Sequence, residues 1–413
     1  MLNPTYPHLP DYEIGNFRDL GIESNPTANL EAIVVPSARG ASHLEYSAQR
    51  ALHSNLPLVV MCSGDTDHEQ AAKFLSDVRP AKPWKQPRLQ YYAVQLPPGY
   101  SHELFDFTAQ NIIPDDLKNP SDLALKRNIA ACLLERFFNM DDDMYVTKEA
   151  LDAVGSLMAA NAVVGLKSVG MVDKSVIHHA LDQAKLFLRH GKVTRRSQNI
   201  SGNSMAINTQ QHVSHNPLEI YNEDWLMLWY VLRNSPGKTH VADGEAIQKQ
   251  FDPFAQPDRP RREEFGDTMV EGLYRHRTQK LPQEMLYGKS YWQETIRLRR
   301  ELAQLVLNAF NRPATEIGTS YMNSDIQANP EKWIAYRRMA YIMVEGALEK
   351  ILAYNALIDP ELCTTYIRQL DEDQQKWDER YRRWRDKYFT PGNIMANLSS
   401  LGLSEFVLSS EAA

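Results

Sequence analysis

The chain has 413 residues, 43% hydrophobic and 23% charged, which is ordinary globular composition with enough apolar material for a large core plus an accessory unit. A net charge of −7 gives no electrostatic footprint for broad nucleic-acid binding, although a local basic patch would not show in a total, so nucleic acid is a minority reading of the partner. Three widely spaced cysteines, Cys62, Cys132 and Cys363, argue against a disulfide framework and for a reducing compartment. No apolar run reaches membrane-spanning length. The expectation is a cytoplasmic protein, with peripheral membrane contact left open.

The first thirty residues are polar, Pro-containing and without period, and read as an N-terminal arm, 1–30. "LEAIVVPSARG" is a β-branched apolar run ended by Pro36 and a small-residue turn, the pattern of a buried strand. "SHLEYSAQRAL" predicts a helix, "LPLVVMCSGDTD" a second buried strand with an acidic turn, "HEQAAKFLSDV" a second helix and "LQYYAVQLP" a further strand. Strands and helices alternating in this way predict an α/β fold with a mostly parallel, doubly wound sheet. Its ligands then collect beyond the carboxyl ends of the strands. Leu125, Ile129, Cys132, Leu133 and Phe137 share one helical face, with Ser121 and Asp122 placed to cap the start. That helix leads to Asp141, Asp142 and Asp143. Three adjacent carboxylates repel one another, so they suit a cation opposite them, or else a solvated turn.

From about Tyr291 the pattern becomes long helices, with Leu298, Leu302, Leu305 and Ala309 as one apolar stripe. Trp377, Tyr381, Trp384 and Tyr388 share a face of the last long helix, which predicts packing, against the rest of the chain or a second copy. The expected division is 31–290 as the sheet-containing domain and 291–413 as an all-helical C-terminal domain, with a homodimer left open. Glu263, Glu264 and Asp267 are expected to be solvated or paired with Arg261 and Arg262.

"KRNIAACLLERFFNMDDDMYV", with an Arg-Asn at a helix start and an acidic triplet one helix later, resembles the nucleotide-sugar site of GT-A fold glycosyltransferases, family 2 especially. "IVVPSARG" resembles the first strand and turn of that family, and "ISGNSMAI" followed by "IYNEDWLMLW" resembles its acceptor-side loop and Glu-Asp motif. The resemblance covers roughly residues 30 to 230. It implies a Rossmann-like GT-A domain that moves a sugar from a nucleotide-sugar donor to an acceptor hydroxyl. Asp141 and Asp143 would hold a divalent cation, Mn²⁺ or Mg²⁺. Pro36, Ser37, Arg39, Asp65, Arg127 and Asp142 would shape the nucleotide pocket, and Lys126 would add positive charge for the diphosphate. Ser201, Gly202 and Asn203 would lie near sugar and acceptor. Asp224 would be the general base of an inverting displacement, with Glu223 in reserve.

The chain departs from the family at "MCSGDTD", where Cys62 and Ser63 stand in place of an acidic pair. His240 and His276 are candidate late metal ligands, while His212 and His215 fall where acceptor loops lie. The rival readings are a retaining glycosyltransferase of the glycosylglycerate-synthase type, a nucleotidyltransferase, and a non-catalytic interaction protein with a vestigial site.

Overall fold

The computed structural model describes residues 29–79, 88–169, 175–181, 196–211, 214–249, 253–256, 258–310 and 330–410. The expected N-terminal arm, but for its last two residues, and His212 lie outside them. The chain begins with strand β1 (Ala32–Ser37), helix α1 (Glu45–Ser54), β2 (Leu58–Cys62), α2 (His68–Asp77), β3 (Tyr91–Gln95), α3 (Leu123–Leu133) and β4 (Arg136–Met140). It continues with β5 (Met144–Val146), α4 (Lys148–Leu157), β6 (Val163–Val169), β7 (Arg196–Asn208), α5 (Glu223–Asn234) and β8 (Thr239–Gln248). Helices α6 (Arg259–Thr278), α7 (Lys289–Phe310), α8 (Pro330–Asn355), α9 (Pro360–Tyr388) and α10 (Ile394–Ser400) follow, and β9 (Val407–Ser409) closes the chain.

Among the described residues nine strands form one sheet in the order β5-β8-β6-β7-β4-β1-β2-β3-β9. Strands β1, β2, β3, β4, β6 and β8 run one way, and β5, β7 and β9 run against them. The expected α/β class with a mostly parallel sheet is therefore what the chain adopts. Strands β1 and β2 are buried from end to end, because each face of the sheet carries its own apolar layer. Ala32, Val34, Val59, Met61 and Phe137 belong to one layer, and Ile33, Val35, Val60 and Phe138 to the other.

Helices α1, α2 and α4 cover the second layer. The first contains α3, α5 and the Trp377, Tyr381 and Trp384 stripe of α9, so that stripe packs within the chain. The Tyr381 hydroxyl donates to the Ala131 carbonyl of α3 at 2.9 Å. Tyr388, expected on the same face, is exposed. Among the described residues no helix is long and apolar enough to cross a membrane. The three cysteines are buried and unbridged.

Three local expectations need correction. Helix α3 stops at Leu133, and Phe137 belongs to β4, because Leu134 is already extended. The segment of Ser201, Gly202 and Asn203, read as a loop, lies inside β7. On α7 the buried stripe runs through Trp292, Thr295, Ile296, Arg299, Leu302, Ala303 and Val306, leaving Leu305 exposed. A buried arginine occupies the middle of that face, so a search for apolar spacing alone picks the neighbouring stripe.

His215, expected near an acceptor, is fully buried, with its ring stacked on Phe107 at 4.3 Å between centroids and its Nδ1 2.9 Å from Gln374 Oε1. Burial holds its pKa down at about 4, against the pull of Gln374 and Asp373. The unfolded chain therefore takes up a proton between pH 6.5 and about 4 that the fold excludes. The stability tied to neutral His215 is present above pH 6.5 and is lost as the pH falls through that window, by roughly 3 kcal/mol. His215→Phe should shrink the acid-side slope of stability in urea unfolding across this range. An unchanged slope would place the acid sensitivity elsewhere.

Candidate active site

In an open α/β sheet the ligand crevice forms where successive strands are laid down on opposite sides of their predecessor. Here β2 and β3 build outward on one side of β1, and β4 pairs on the other. That rule places the ligand position between the turns that follow β1 and β4. The Ile33 N–H points to β2, so in a parallel ladder Pro36 faces β4, and β1–β4 pairing has already ended at Val34. A residue without an N–H costs no ladder bond there.

The β1 turn carries Ser37 and Arg39, and the β4 turn carries Asp141, Asp142 and Asp143. A directed chain of hydrogen bonds joins the two turns. The Gly40 N–H donates to Thr66 Oγ1 at 2.8 Å, and Ser37 Oγ donates to Asp142 Oδ2 at 2.9 Å. Thr66 must therefore be the donor in its 3.0 Å bond to Ser37 Oγ. Arg39 pairs with Asp142 from the solvent side and with Asp143 at 3.1 Å. Ser37 and Asp142 are thus buried and committed to each other, so Asp142 acts as a brace between the turns. Asp65 is exposed above the β1 turn, its backbone N–H on the Ala38 carbonyl at 3.0 Å.

Asp141 and Asp143 flank that brace. Asp143 Oδ1 is buried without a partner among the described residues, while Oδ2 meets Arg39. Asp141 Oδ1 receives Arg127 Nη2 at 3.2 Å. Burial pushes the Asp141 pKa up to about 7, with Asp143 and Asp224 adding to the rise and Arg127 opposing it.

Adjacent helical residues point about 100° apart, and this separates Lys126 from Arg127. Lys126 is buried beneath the β1 and β2 turns, where it donates to the Ser37 carbonyl at 2.9 Å and Ser63 Oγ at 2.6 Å and pairs with Asp122 at 3.1 Å. Its ammonium protons are spoken for, so the expectation that it faces a diphosphate is not met. Burial lowers its pKa, with Asp122 pulling the other way.

Arg127 is buried among carboxylates: Glu223 Oε1 lies 2.8 Å from Nη1, Asp224 Oδ2 lies 3.4 Å from it, and Asp141 and the Gly202 carbonyl meet Nη2. Burial would lower its pKa, but Glu223, Asp141 and Asp224 together outweigh it and hold the guanidinium charged. Arg127 thus joins the Asp141 side of the site to the Glu223–Asp224 pair at the start of α5. Burial raises the Glu223 pKa, with Arg127 opposing and Asp224 adding to the rise. Asp224 Oδ1 accepts the Trp225 N–H at 2.8 Å, and Oδ2 lies against Gly202, where a Cβ would stand 1.3 Å from it. Strand β7 brings its own share. Ser201 Oγ donates to Asn203 Oδ1 at 2.7 Å, and the Asn203 carbonyl accepts the Asp141 N–H at 3.1 Å.

The structure therefore brings Asp141, Asp142, Asp143, Ser37, Arg39, Arg127, Gly202, Glu223 and Asp224 to one end of the sheet. His276 is tied to the Pro282 carbonyl at 2.9 Å. Among the described residues no group of three or more His, Cys, Asp or Glu is arranged to hold a metal by itself. Thr66 and Asn216, whose N–H donates to Asn128 Oδ1 at 2.7 Å, were not singled out from sequence. Their partners lie far along the chain, which leaves no local signal.

No family model matches the sequence, and no curated protein is similar to it. Among solved structures, the chain is similar to glucosyl-3-phosphoglycerate synthase from Mycobacterium tuberculosis in complex with phosphoglyceric acid, at 15% identity and a TM-score of 0.36, over 63% of this chain and 84% of that one. It is also similar to that synthase in complex with Mn²⁺, uridine diphosphate and phosphoglyceric acid, at 14% identity and a TM-score of 0.38, over 67% of this chain and 88% of that one. Likeness this distant adds no weight to the site, which stands on the chain's own residues.

Proposed function

We propose that the protein is a glycosyltransferase that uses a divalent cation to move a sugar from a nucleotide-sugar donor to an acceptor hydroxyl. The observation that carries this is the meeting of the β1 and β4 turns, where Asp141 and Asp143 flank a braced Asp142 and Asp143 keeps a buried oxygen with no partner among the described residues. Two carboxylates without a complete protein cage suit a hard cation that takes its remaining ligands from substrate phosphates and water. Asp141 and Asp143 would hold Mn²⁺ or Mg²⁺. When bound, the cation offsets the charge that develops on the departing nucleoside diphosphate.

The protein's own groups supply the rest. Arg39, half exposed at the rim and paired with two of the aspartates, is the cation placed to meet a phosphate, and Asp65 and the β1 turn would border the nucleotide. Ser201, Gly202 and Asn203 would form the wall beside sugar and acceptor, and Asp224 would take the acceptor proton as the new bond forms. Arg127 holds Glu223, Asp224 and Asp141 in register. Donor and acceptor are assigned to the 31–290 portion, with the helices of 291–413 as its support.

The test is thermal unfolding against nucleoside diphosphates and nucleotide sugars, with and without Mn²⁺. A ligand at a hundred times its dissociation constant should stabilise the fold by about 2.7 kcal/mol. The expected result is a Mn²⁺-dependent shift for one nucleotide that Asp143→Ala abolishes. No shift with any of them would overturn the reading. Release of pyrophosphate in place of a nucleoside diphosphate would turn it to nucleotidyl transfer.

A further inference from the structure

The Glu223–Asp224 pair is held from behind by groups that touch nothing in the crevice. Asn222, the residue before the pair, caps α5 in the left-handed region at φ 62° and ψ 34°. Asn is among the best helix caps because its side-chain oxygen can accept from the first turn, yet Asn222 makes no such bond. Its amide is turned away instead, and Nδ2 donates to Asp267 Oδ1 of α6 at 2.7 Å. Helix α6 meets this backbone directly, since a Cβ on Gly266 would stand 2.1 Å from the Tyr221 carbonyl oxygen. An unusual backbone state beside reactive groups persists only where the surroundings impose it.

What imposes it is a buried ion cluster. Asp267 Oδ2 receives Arg299 Nη2 of α7 at 2.8 Å. Arg299 also grips Glu264 with two bonds, at 2.9 and 2.8 Å, and pairs with Glu271. Asn355 of α8 donates to Glu264 Oε1 at 3.1 Å. Glu264, Asp267 and Glu271 recur at helical spacing on one face of α6, and Arg299 is the cation that faces them. The expected partners, Arg261 and Arg262, do not; Glu263 pairs with Arg259 at 2.5 Å. Burying such a cluster yields little net stability, because desolvation offsets the attraction, so its worth lies in the geometry it fixes.

We propose that Asn222, Asp267 and Arg299 are positioning residues that set the Glu223–Asp224 pair in the site, and that the helices carrying Arg299 and Asn355 act on the reaction through this chain of bonds. The proposal rests on the glycosyltransferase reading for what the pair does, but not for how the pair is held.

Two variants separate the amide bond from the backbone state. Asn222→Gly keeps the left-handed conformation without strain and removes only the bond to Asp267. Asp267→Asn keeps an oxygen for Asn222, whereas Asp267→Leu removes it. Hydrogen exchange at the Trp225 amide, which donates to Asp224 Oδ1, reads the position of the pair without reference to activity. Nucleotide release from UDP-glucose with Mn²⁺ reads the reaction.

Asn222→Gly and Asp267→Leu should speed Trp225 exchange about tenfold while exchange in α9 stays at the wild-type rate. They should also lower kcat about ten- to a hundredfold with the donor KM unchanged, and Asp267→Asn should recover most of both. Wild-type exchange at Trp225 in Asn222→Gly would overturn the proposal. A wild-type protein inert toward UDP-glucose and every other nucleotide sugar would count against the glycosyltransferase reading alone, and the exchange rates would still decide whether the pair is held in this way.

Discussion

Replacing Arg127 by Met should cost about 3–5 kcal/mol of stability, because it leaves buried carboxylates facing one another without their cation. Arg127 is 3% exposed, and its guanidinium meets Glu223 at 2.8 Å, Asp141 at 3.2 Å and Asp224 at 3.4 Å. The loss should grow with pH. Glu223 has a folded pKa raised above its unfolded value, so the fold keeps a proton that the unfolded chain has released, and stability declines as pH rises from about 4.5 toward the raised value. Without Arg127 the raised value climbs further and the decline extends to higher pH. Urea unfolding at pH 5 and pH 8 should show the larger deficit at pH 8. Combining Arg127→Met with Glu223→Leu should recover part of the stability, since an apolar pair replaces a broken ionic one. Equal stability of wild type and Arg127→Met at both pH values would mean that these carboxylates are solvated and that no hub exists.

Much of the sheet was readable because it is made by local pattern. Strands β1 and β2 carry continuous apolar runs, since both of their faces are covered, and each ends in a small-residue turn. The same logic placed the acidic triplet at a strand end, where β4 indeed delivers it. The inner workings of the site were not readable in this way. The bracing bond of Asp142 has no local signal because its partner is Ser37, 105 residues away. Arg127 faces Glu223 from 96 residues away, and Glu264 faces Arg299 from 35. A charge read from sequence alone is assigned to solvent, because burial of a charge is costly unless a partner is present, and the partner is chosen by topology. Lys126 shows the same lesson: adjacent in sequence to Arg127, it leaves the helix at another angle and is spent on the β1 and β2 turns.

Asp224→Asn should lower turnover by about 10²–10⁴-fold and leave Mn²⁺-dependent nucleotide binding in place. The exchange is nearly isosteric. Asn keeps an oxygen for the Trp225 N–H and fits the space against Gly202, which admits no Cβ. On the proposed reading it loses the carboxylate that would take the proton of the attacking hydroxyl, and with it the charged contact to Arg127 at 3.4 Å. Glu223→Gln is the control, because Glu223 spends its side chain on Arg127 at 2.8 Å, so its loss should disturb geometry and cost less turnover than loss of the proposed base. The two variants therefore separate proton removal from support. An Asp224→Asn protein with intact turnover would show that the base lies elsewhere, and a product that keeps the donor's anomeric configuration would show that the reaction needs no such base. If turnover falls in Asp224→Asn while the melting shift with nucleotide and Mn²⁺ persists, the carboxylates of the β4 turn serve the donor and those of α5 serve the acceptor. Arg127 would then link the two, through Asp141 on one side and Glu223 and Asp224 on the other.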